Sequence, residues 1–273
     1  MPNLPRGPFA RMIQNQEPIA TPAPWIRPLL VLGNYVAPFL LIGTHFRFAW
    51  LIAGACCAHA CFAYAITAPA CRWLGPVVTR FRPRGKDVWL TIDDGPSGEA
   101  SVRLGEEMAR RGARATFFVK GESLAREPGI GRALTARGHT LANHTHTHPA
   151  SIFWVLRPSA LRAEIDACND SLRHAGVPAG PWFRSPVGLK HLLLHPALAR
   201  RGMRLVAWSV RGRDGVACNP DAVAKRVGAR VSPGAIILLH EGRERSNESI
   251  LRVVDELQER GYSFVIPEDA QMI

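Results

Sequence analysis

Short apolar segments alternate with amphipathic segments from Asp87 onward, and this alternation restricts the fold more than any other feature of the chain. The apolar segments have the length of strands, and the segments between them, such as VRLGEEMARRG and ILRVVDELQERG, place apolar residues at helical spacing. Seven strands are predicted, at 88–92, 115–119, 139–142, 181–183, 204–210, 235–239 and 262–266. Strands that alternate with helices form parallel sheets. The pattern therefore predicts an α/β fold, a distorted (β/α) barrel over residues 87–273.

Polar residues of the types used in metal and acid-base chemistry follow five of these strands. They are Asp93 and Asp94, His144 and His148, Arg184, Asp214, and His240. In a barrel of parallel strands the loops after the carboxyl ends converge over the mouth, so we expect these side chains to meet in one site. A single placement of this kind would carry little weight, because strands commonly end in polar loops. Five together indicate an active site.

Asp94, His144 and His148 make up a donor set for a divalent metal. One carboxylate and two imidazoles can hold zinc and leave positions open for water and substrate. Histidines four residues apart share one face if their segment forms a helical turn. A metal held by few protein ligands can activate water and polarise a carbonyl, as hydrolysis of an amide requires. His146 faces away from the pair at that spacing, and we expect it in the supporting loop.

Five short motifs carry a resemblance to a known family. They are TIDDG (91–95), HTHTH (144–148), RSPVG (184–188), RGRDG (211–215) and LLH (238–240), in this order. With them the chain resembles the polysaccharide deacetylases, the carbohydrate esterase group that includes rhizobial chitooligosaccharide deacetylases. The resemblance covers about residues 84–273. It implies a hydrolase that removes an N-acyl group, an acetyl, from an amino sugar.

The resemblance also implies a role for each motif residue. It makes Asp94, His144 and His148 the ligands of zinc or another divalent transition metal. Asp93 would be the general base that takes a proton from the attacking water, with Arg184 paired to it and keeping it ionised. By the same resemblance, the general acid that protonates the departing amine and the carboxylate that holds its imidazolium are His240 and Asp214.

The RSPVG motif would contact the substrate through Pro186 and Val187, and the backbone N–H of Val187 would stabilise the tetrahedral oxyanion. Two positions depart from the family, in which many members have an aromatic residue in place of Val187 and a tryptophan in place of Gly215. These departures concern the substrate rather than the reaction. Three other aromatic residues could replace that wall or could be packed in the core: Phe153, Trp154 and Trp182.

The first 86 residues differ in composition from the rest. Residues 1–24 are rich in Pro, Asn and Gln and are predicted to form a disordered tail. Two apolar stretches without an acid or a lysine follow, at 28–43 and 48–70, and a bilayer core needs about 20 helical residues. A signal peptide is disfavoured, because its apolar region would be shorter and closer to a basic start. We expect a membrane anchor at 25–86 with two transmembrane helices, and a pair of buried core helices is the alternative.

Most of the net charge of +12 belongs to this region, which contains nine basic residues up to Lys86 and one acidic residue, Glu17. No nucleic-acid-binding motif accompanies the charge, so nucleic acid is not an expected partner. A basic collar follows the second apolar stretch: Arg72, Arg80, Arg82, Arg84 and Lys86. Basic residues favour the cytoplasmic side of a membrane, and the cysteines show no disulfide pattern. We expect a protein of the bacterial inner membrane with a cytoplasmic catalytic domain.

This location predicts an N-acylated amino sugar that is lipid-linked or part of a glycolipid as the substrate. The resemblance implies a divalent metal as the cofactor, zinc before other transition metals. Two alternatives stay open. One is a deformylase of a lipid-linked amino sugar, since such enzymes belong to the same superfamily. The other is an inactive sugar-binding scaffold that holds a metal, which would predict a missing base, acid or ligand.

Overall fold

Eight strands form the centre of the fold in a computed structural model that describes residues 25–36, 49–178, 180–215 and 219–273. The predicted disordered tail at 1–24 lies outside these residues. The strands are β1 (Asp87–Asp93), β2 (Ala115–Val119), β3 (Thr140–Asn143), β4 (Trp182–Phe183), β5 (Arg204–Leu205), β6 (Val210–Arg211), β7 (Ile236–His240) and β8 (Ser263–Phe264). They pair in parallel in the order β5-β4-β3-β2-β1-β7-β6, and β8 pairs with the start of β1. The predicted α/β fold with a parallel sheet is confirmed.

The two end strands of this order, β5 and β6, are separated by only four residues, 206–209. A linker of that length spans less than about 20 Å, so the sheet must curve until its ends approach each other. The single predicted strand at 204–210 is therefore wrong. It is interrupted because Ala207 donates a backbone hydrogen bond to Val78 at 2.8 Å, whereas Ser209 donates to Ile236 of β7 at 3.1 Å.

Nine helices occur in the described part of the chain. They are α1 (Ile26–Tyr35), α2 (Ala49–Thr67), α3 (Glu99–Arg110), α4 (Gly121–Arg126), α5 (Gly129–Thr135), α6 (Pro158–His174), α7 (Leu194–Ala199), α8 (Pro220–Gly228) and α9 (Ser246–Glu259). The helices that follow strands bury one apolar face against the sheet. Leu104 of α3 and Val253 of α9, for example, join the same buried cluster as Leu90 of β1. This packing holds the strand ends in place.

The segment before β1 belongs to the catalytic domain. Val78 and Phe81 are buried, and Arg80 of the predicted basic collar donates hydrogen bonds to the Ser232 hydroxyl at 2.8 Å and the Pro233 carbonyl at 2.7 Å. The structural domain therefore begins before residue 87, where the sequence pattern placed its boundary. At least part of the collar has a structural partner within the domain.

The predicted membrane anchor finds no support in the described helices. Among the residues that the structure describes, no helix combines the length and the apolar character needed to cross a membrane. The predicted spans extend into 37–48, which lie outside the described residues. The end of α2 packs on the domain instead: Phe62 and Ile66 are buried in one cluster with Leu74, and Lys190 donates a backbone hydrogen bond to Ile66 at 3.0 Å.

Candidate active site

Two adjacent aspartates end β1 and begin the following loop. Asp93 is the last residue of the strand and is 3% exposed. In the parallel register it lies beside His240, the last residue of β7. Asp94 has φ of 75°, so the chain leaves the strand in a left-handed conformation. The two carboxylates consequently face different partners.

The HTHTH motif forms a loop after β3, so its histidines do not occupy one face of a helical turn. The backbone is left-handed at Thr145, with φ of 67°, and at His148, with φ of 56°. Asn143 accepts a hydrogen bond from the Thr145 N–H at 2.9 Å, and Glu164 of α6 accepts from the next two backbone N–H groups at 2.9 and 2.8 Å. These acceptors hold the loop in a shape that brings both histidines to Asp94.

Asp94, His144 and His148 fit a divalent metal. Their potential ligand atoms lie within 4.8 Å of one another. The Asp94 Oδ1 atom is 3.4 Å from His148 Nε2 and 3.7 Å from His144 Nε2, and ligand atoms around a tetrahedral zinc lie roughly 3.4 Å apart. His144 Nδ1 is 2.9 Å from the Arg184 carbonyl. Since a carbonyl only accepts, Nδ1 carries the proton and Nε2 is left to bind a metal.

The ionisation of these groups suits the same role. Burial, together with the nearby His144, lowers the pKa of His148 to about 4. Burial also acts to raise the pKa of Asp94, but the hydrogen bond and charge of His144 and the charge of His148 outweigh it and leave that pKa lowered. A neutral imidazole and an ionised carboxylate are the forms that coordinate a metal.

Arg184 fixes Asp93 from below. Its side chain is fully buried, and Nη1 donates to Asp93 Oδ1 at 2.7 Å and to the Thr91 hydroxyl at 2.8 Å. Its other nitrogens donate to the carbonyls of Val206 and Ala207 at 3.2 and 3.0 Å. These carbonyls lie in the segment that separates β5 from β6. Arg184 therefore connects this segment to the Asp93 carboxylate and fixes the position of that carboxylate.

His240 and Asp214 form a second charged pair on the other side of the site. Asp214 Oδ1 lies 3.0 Å from His240 Nδ1, and its Oδ2 accepts from the His240 backbone N–H at 2.6 Å. Burial acts to lower the pKa of His240, but the hydrogen bond with Asp214 and the charges of Asp93, Asp214 and Asp94 raise it overall. An imidazolium held at Nδ1 keeps Nε2 available to give a proton to a substrate.

The comparisons with known proteins agree with this geometry. The family model described as polysaccharide deacetylase matches residues 81–206. A chitooligosaccharide deacetylase from Bradyrhizobium sp. is 31% identical over 192 residues, covering 65% of this chain and 87% of the relative. One from Sinorhizobium fredii is 33% identical over 195 residues, covering 64% and 87%. The chain belongs to the polysaccharide deacetylase family.

Two solved structures extend the comparison for this polysaccharide deacetylase. A family 4 carbohydrate esterase from Streptomyces lividans in complex with acetate has 28% identity and a TM-score of 0.63, covering 70% of this chain and 98% of its own. A CE4 family pseudoenzyme from Bacillus anthracis has 25% identity and a TM-score of 0.63, covering 69% of this chain and 66% of its own. The fold is therefore common to an esterase and a pseudoenzyme, and function has to be argued from the site residues.

Asp93, Asp94, His144, His148 and His240 line one pocket of about 110 Å³, whereas Arg184 and Asp214 pair with Asp93 and His240 without lining it. Val187 lies at its mouth in a 3₁₀ turn, Pro186–Gly188, with φ of 48° and 55% of the residue exposed. Pro186 is buried and does not line the pocket, and as a proline it has no N–H to offer. The expected contact between Pro186 and the substrate is therefore wrong. Pro186 instead supports the turn that carries Val187.

The aromatic residues proposed as a substitute wall do not reach this pocket in the polysaccharide deacetylase. Phe153 and Trp182 are buried in packing clusters, and Trp154 lines a separate apolar groove beside α1 and α2. Trp208 lines the pocket instead. The sequence did not indicate that Trp208 lines the pocket, because this residue lies within an apolar run that predicts one continuous strand.

Glu241 is a second residue that the sequence did not single out. Its backbone N–H donates to the Asp93 carbonyl at 3.0 Å, and its carboxylate accepts from the Ser101 hydroxyl. A Cβ at Gly95 would come within 1.5 Å of Glu241 Oε1, which explains why the TIDDG motif needs glycine here. Burial raises the pKa of Glu241 to about 7. The sequence gave no sign of this role, because nothing marks an acidic residue directly after the LLH motif as part of the site.

Proposed function

We propose that this chain is a metal-dependent hydrolase that removes an N-acetyl group from an amino sugar. The observation that carries the proposal is one pocket lined by the donor set Asp94, His144 and His148 together with Asp93 and His240, which pair with Arg184 and Asp214. Relatives named chitooligosaccharide deacetylase support an N-acetylated sugar as the substrate. So does a peptidoglycan-N-acetylglucosamine deacetylase from Listeria monocytogenes with 27% identity over 183 residues.

The donor set would hold zinc or another divalent transition metal, which when bound polarises the acetyl carbonyl and favours the deprotonation of water. The remaining steps belong to the chain. Asp93, which accepts a hydrogen bond from Arg184, takes a proton from the attacking water while the oxygen of that water bonds to the acetyl carbon. The backbone N–H of Val187 donates to the negatively charged oxygen that develops.

His240 completes the reaction from the opposite side. Its imidazolium gives a proton to the sugar nitrogen as the carbon-nitrogen bond breaks, so that acetate and a free amino sugar are released. Asp214 stabilises the imidazolium and fixes the ring through Nδ1. The complete set of base, acid and donor residues argues against the alternative of an inactive sugar-binding scaffold.

The test uses the purified full chain loaded with zinc and N-acetylated chitooligosaccharides. Acetate and new free amine should appear in equal amounts, a chelator should stop the reaction, and added zinc should restore it. Release of formate from an N-formyl sugar, with no acetate from its N-acetyl counterpart, would support the deformylase instead. Sugar binding without release of either acid would support the scaffold.

We propose further that the substrate is lipid-linked or a glycolipid and that the catalytic domain faces the cytoplasm at the inner membrane. The apolar stretches at 28–43 and 48–70 support membrane association, as do exposed apolar side chains on α1 and α2, including Leu29, Leu32 and Ile52. A fluorescent protein fused after Ile273 should then glow, and alkaline phosphatase fused there should be inactive. Lipid extracts from cells with the chain should contain a species lighter by one acetyl group.

A further inference from the structure

Two arginines line the pocket of the proposed deacetylase in addition to the residues that the reaction uses. Arg211 ends β6, Arg243 follows β7, and both side chains reach the mouth beside Val187 and Gly215. We call these four residues the rim. Arg211 stacks on Trp208, with its guanidinium carbon 5.7 Å from the ring centre, and Arg243 donates to the Gly215 carbonyl.

Neither rim arginine forms an ion pair with any acidic residue in the ranges 25–36, 49–178, 180–215 and 219–273. Many other arginines of the catalytic domain do have a carboxylate partner: Arg111, Arg137, Arg201, Arg245, Arg252 and Arg260. The three aspartates of the site have other partners. Asp93 pairs with Arg184, Asp214 pairs with His240, and Asp94 belongs to the metal donor set. The rim therefore carries two positive charges that the catalytic machinery does not neutralise.

Arg243 lies directly beside Gly215. A Cβ at this position would be 3.8 Å from the guanidinium of Arg243, in ordinary van der Waals contact with it. A neutral amino sugar can accept hydrogen bonds from guanidinium groups but offers no negative charge to balance them. A phosphate or carboxylate does, because its oxygens match the paired N–H donors of arginine.

We propose that Arg211 and Arg243 bind an anionic group, a phosphate or a carboxylate, that the amino sugar carries near its N-acyl group. This inference rests on the proposed function and narrows its substrate to an acidic N-acyl amino sugar. The two arginines determine specificity and take no part in the proton transfers.

The experiment compares kcat/KM of the zinc-loaded full chain for N-acetylglucosamine 1-phosphate, N-acetylmuramic acid and the neutral methyl glycoside of N-acetylglucosamine. We expect an anionic sugar to exceed the neutral one by about tenfold or more, the scale of one charge-assisted hydrogen bond. The ratio should fall towards one in the Arg211→Gln, Arg243→Gln double variant and at high salt. Preference for the 1-phosphate alone identifies phosphate, and preference for the muramic acid alone identifies carboxylate.

Arg245→Gln is the matched control, since it removes the same charge two residues from Arg243 where the guanidinium pairs with Glu248. Its substrate ratio should equal that of the parent chain. Equal kcat/KM for neutral and anionic sugars in the parent chain would overturn the inference and leave the deacetylase intact.

Calorimetric binding of glucosamine 1-phosphate and methyl glucosaminide separates the two proposals. If no sugar is deacetylated but the phosphate binds more tightly and loses that advantage in the double variant, the proposed function fails and the anion site stands. If the two ligands bind equally, the anion site fails.

Discussion

The floor and the rim of the pocket are built in opposite ways. The floor consists of Asp93, His144 and His240, which line the pocket, and of their partners Arg184 and Asp214; each of these five side chains has a hydrogen-bonding partner inside the protein. The rim is exposed, and its two guanidinium groups lack carboxylate partners among the described residues. Side chains whose hydrogen bonds are all made within the protein are held in one arrangement, which suits one reaction. The guanidinium groups of the rim, which lack a carboxylate partner, are available to a ligand. The contrast indicates that the floor determines the chemistry and the rim determines the substrate.

The largest expected effect comes from removing a metal ligand. His144→Ala or His148→Ala should lose bound zinc and bring turnover below detection, because each variant removes one of the three ligands that the described residues supply. Metal content measured by atomic absorption alongside the acetate assay checks this. His146→Ala is the matched control and should keep both metal and turnover. Stoichiometric zinc and full activity in His148→Ala would exclude it as a ligand.

The next largest effect concerns stability at the floor. Arg184→Met leaves the buried Asp93 carboxylate and two backbone carbonyls without their donor, which should cost about 3 to 5 kcal/mol of unfolding free energy. Adding Asp93→Asn to this variant removes the unpaired charge and should recover part of the loss. Denaturant unfolding measures both. An additive double variant would show that the two side chains are not coupled.

Asp93→Asn alone should separate binding of the metal from catalysis. We expect zinc to stay bound while kcat falls by about 10² or more, the usual scale for a general base. The comparison variant is Asp94→Asn, which should lose metal. If Asp93→Asn loses the metal and Asp94→Asn retains it, the two aspartates have exchanged roles.

The smallest expected change is a shift in pH dependence. His240 acts as an acid only while it is protonated, so activity should fall as pH rises through its pKa. Although burial lowers that pKa, Asp214 helps to raise it. Asp214→Asn should therefore lower it and move the alkaline limb of kcat/KM to lower pH, with a smaller loss of rate than Asp93→Asn. Asp166→Asn, on an exposed carboxylate paired with Arg201, should leave the limb in place. An unmoved limb in Asp214→Asn would contradict the pairing.

Local patterns in the sequence were sufficient for the strands that are buried throughout. β2 covers the predicted 115–119, and β1 extends the predicted 88–92 by one residue at each end. Both strands are mostly apolar and, apart from Asp87, buried, and they pair along their length with neighbouring strands. Their environment is therefore uniform, and the sequence pattern reflects it. The order of the motifs likewise indicated which strand ends would carry the polar residues of the site.

Only the tertiary structure decided where those side chains point and what surrounds them. His144 and His148 meet Asp94 through left-handed loop residues held by Asn143 and by Glu164 on a distant helix, which no helical spacing could indicate. Likewise the run containing Trp208 is interrupted only because Ala207 pairs with Val78, far away in the chain. A sequence pattern records which faces of an element are apolar. Hydrogen bonds between residues distant in sequence choose the backbone conformation of loops and strand breaks, and these decide the geometry of the site.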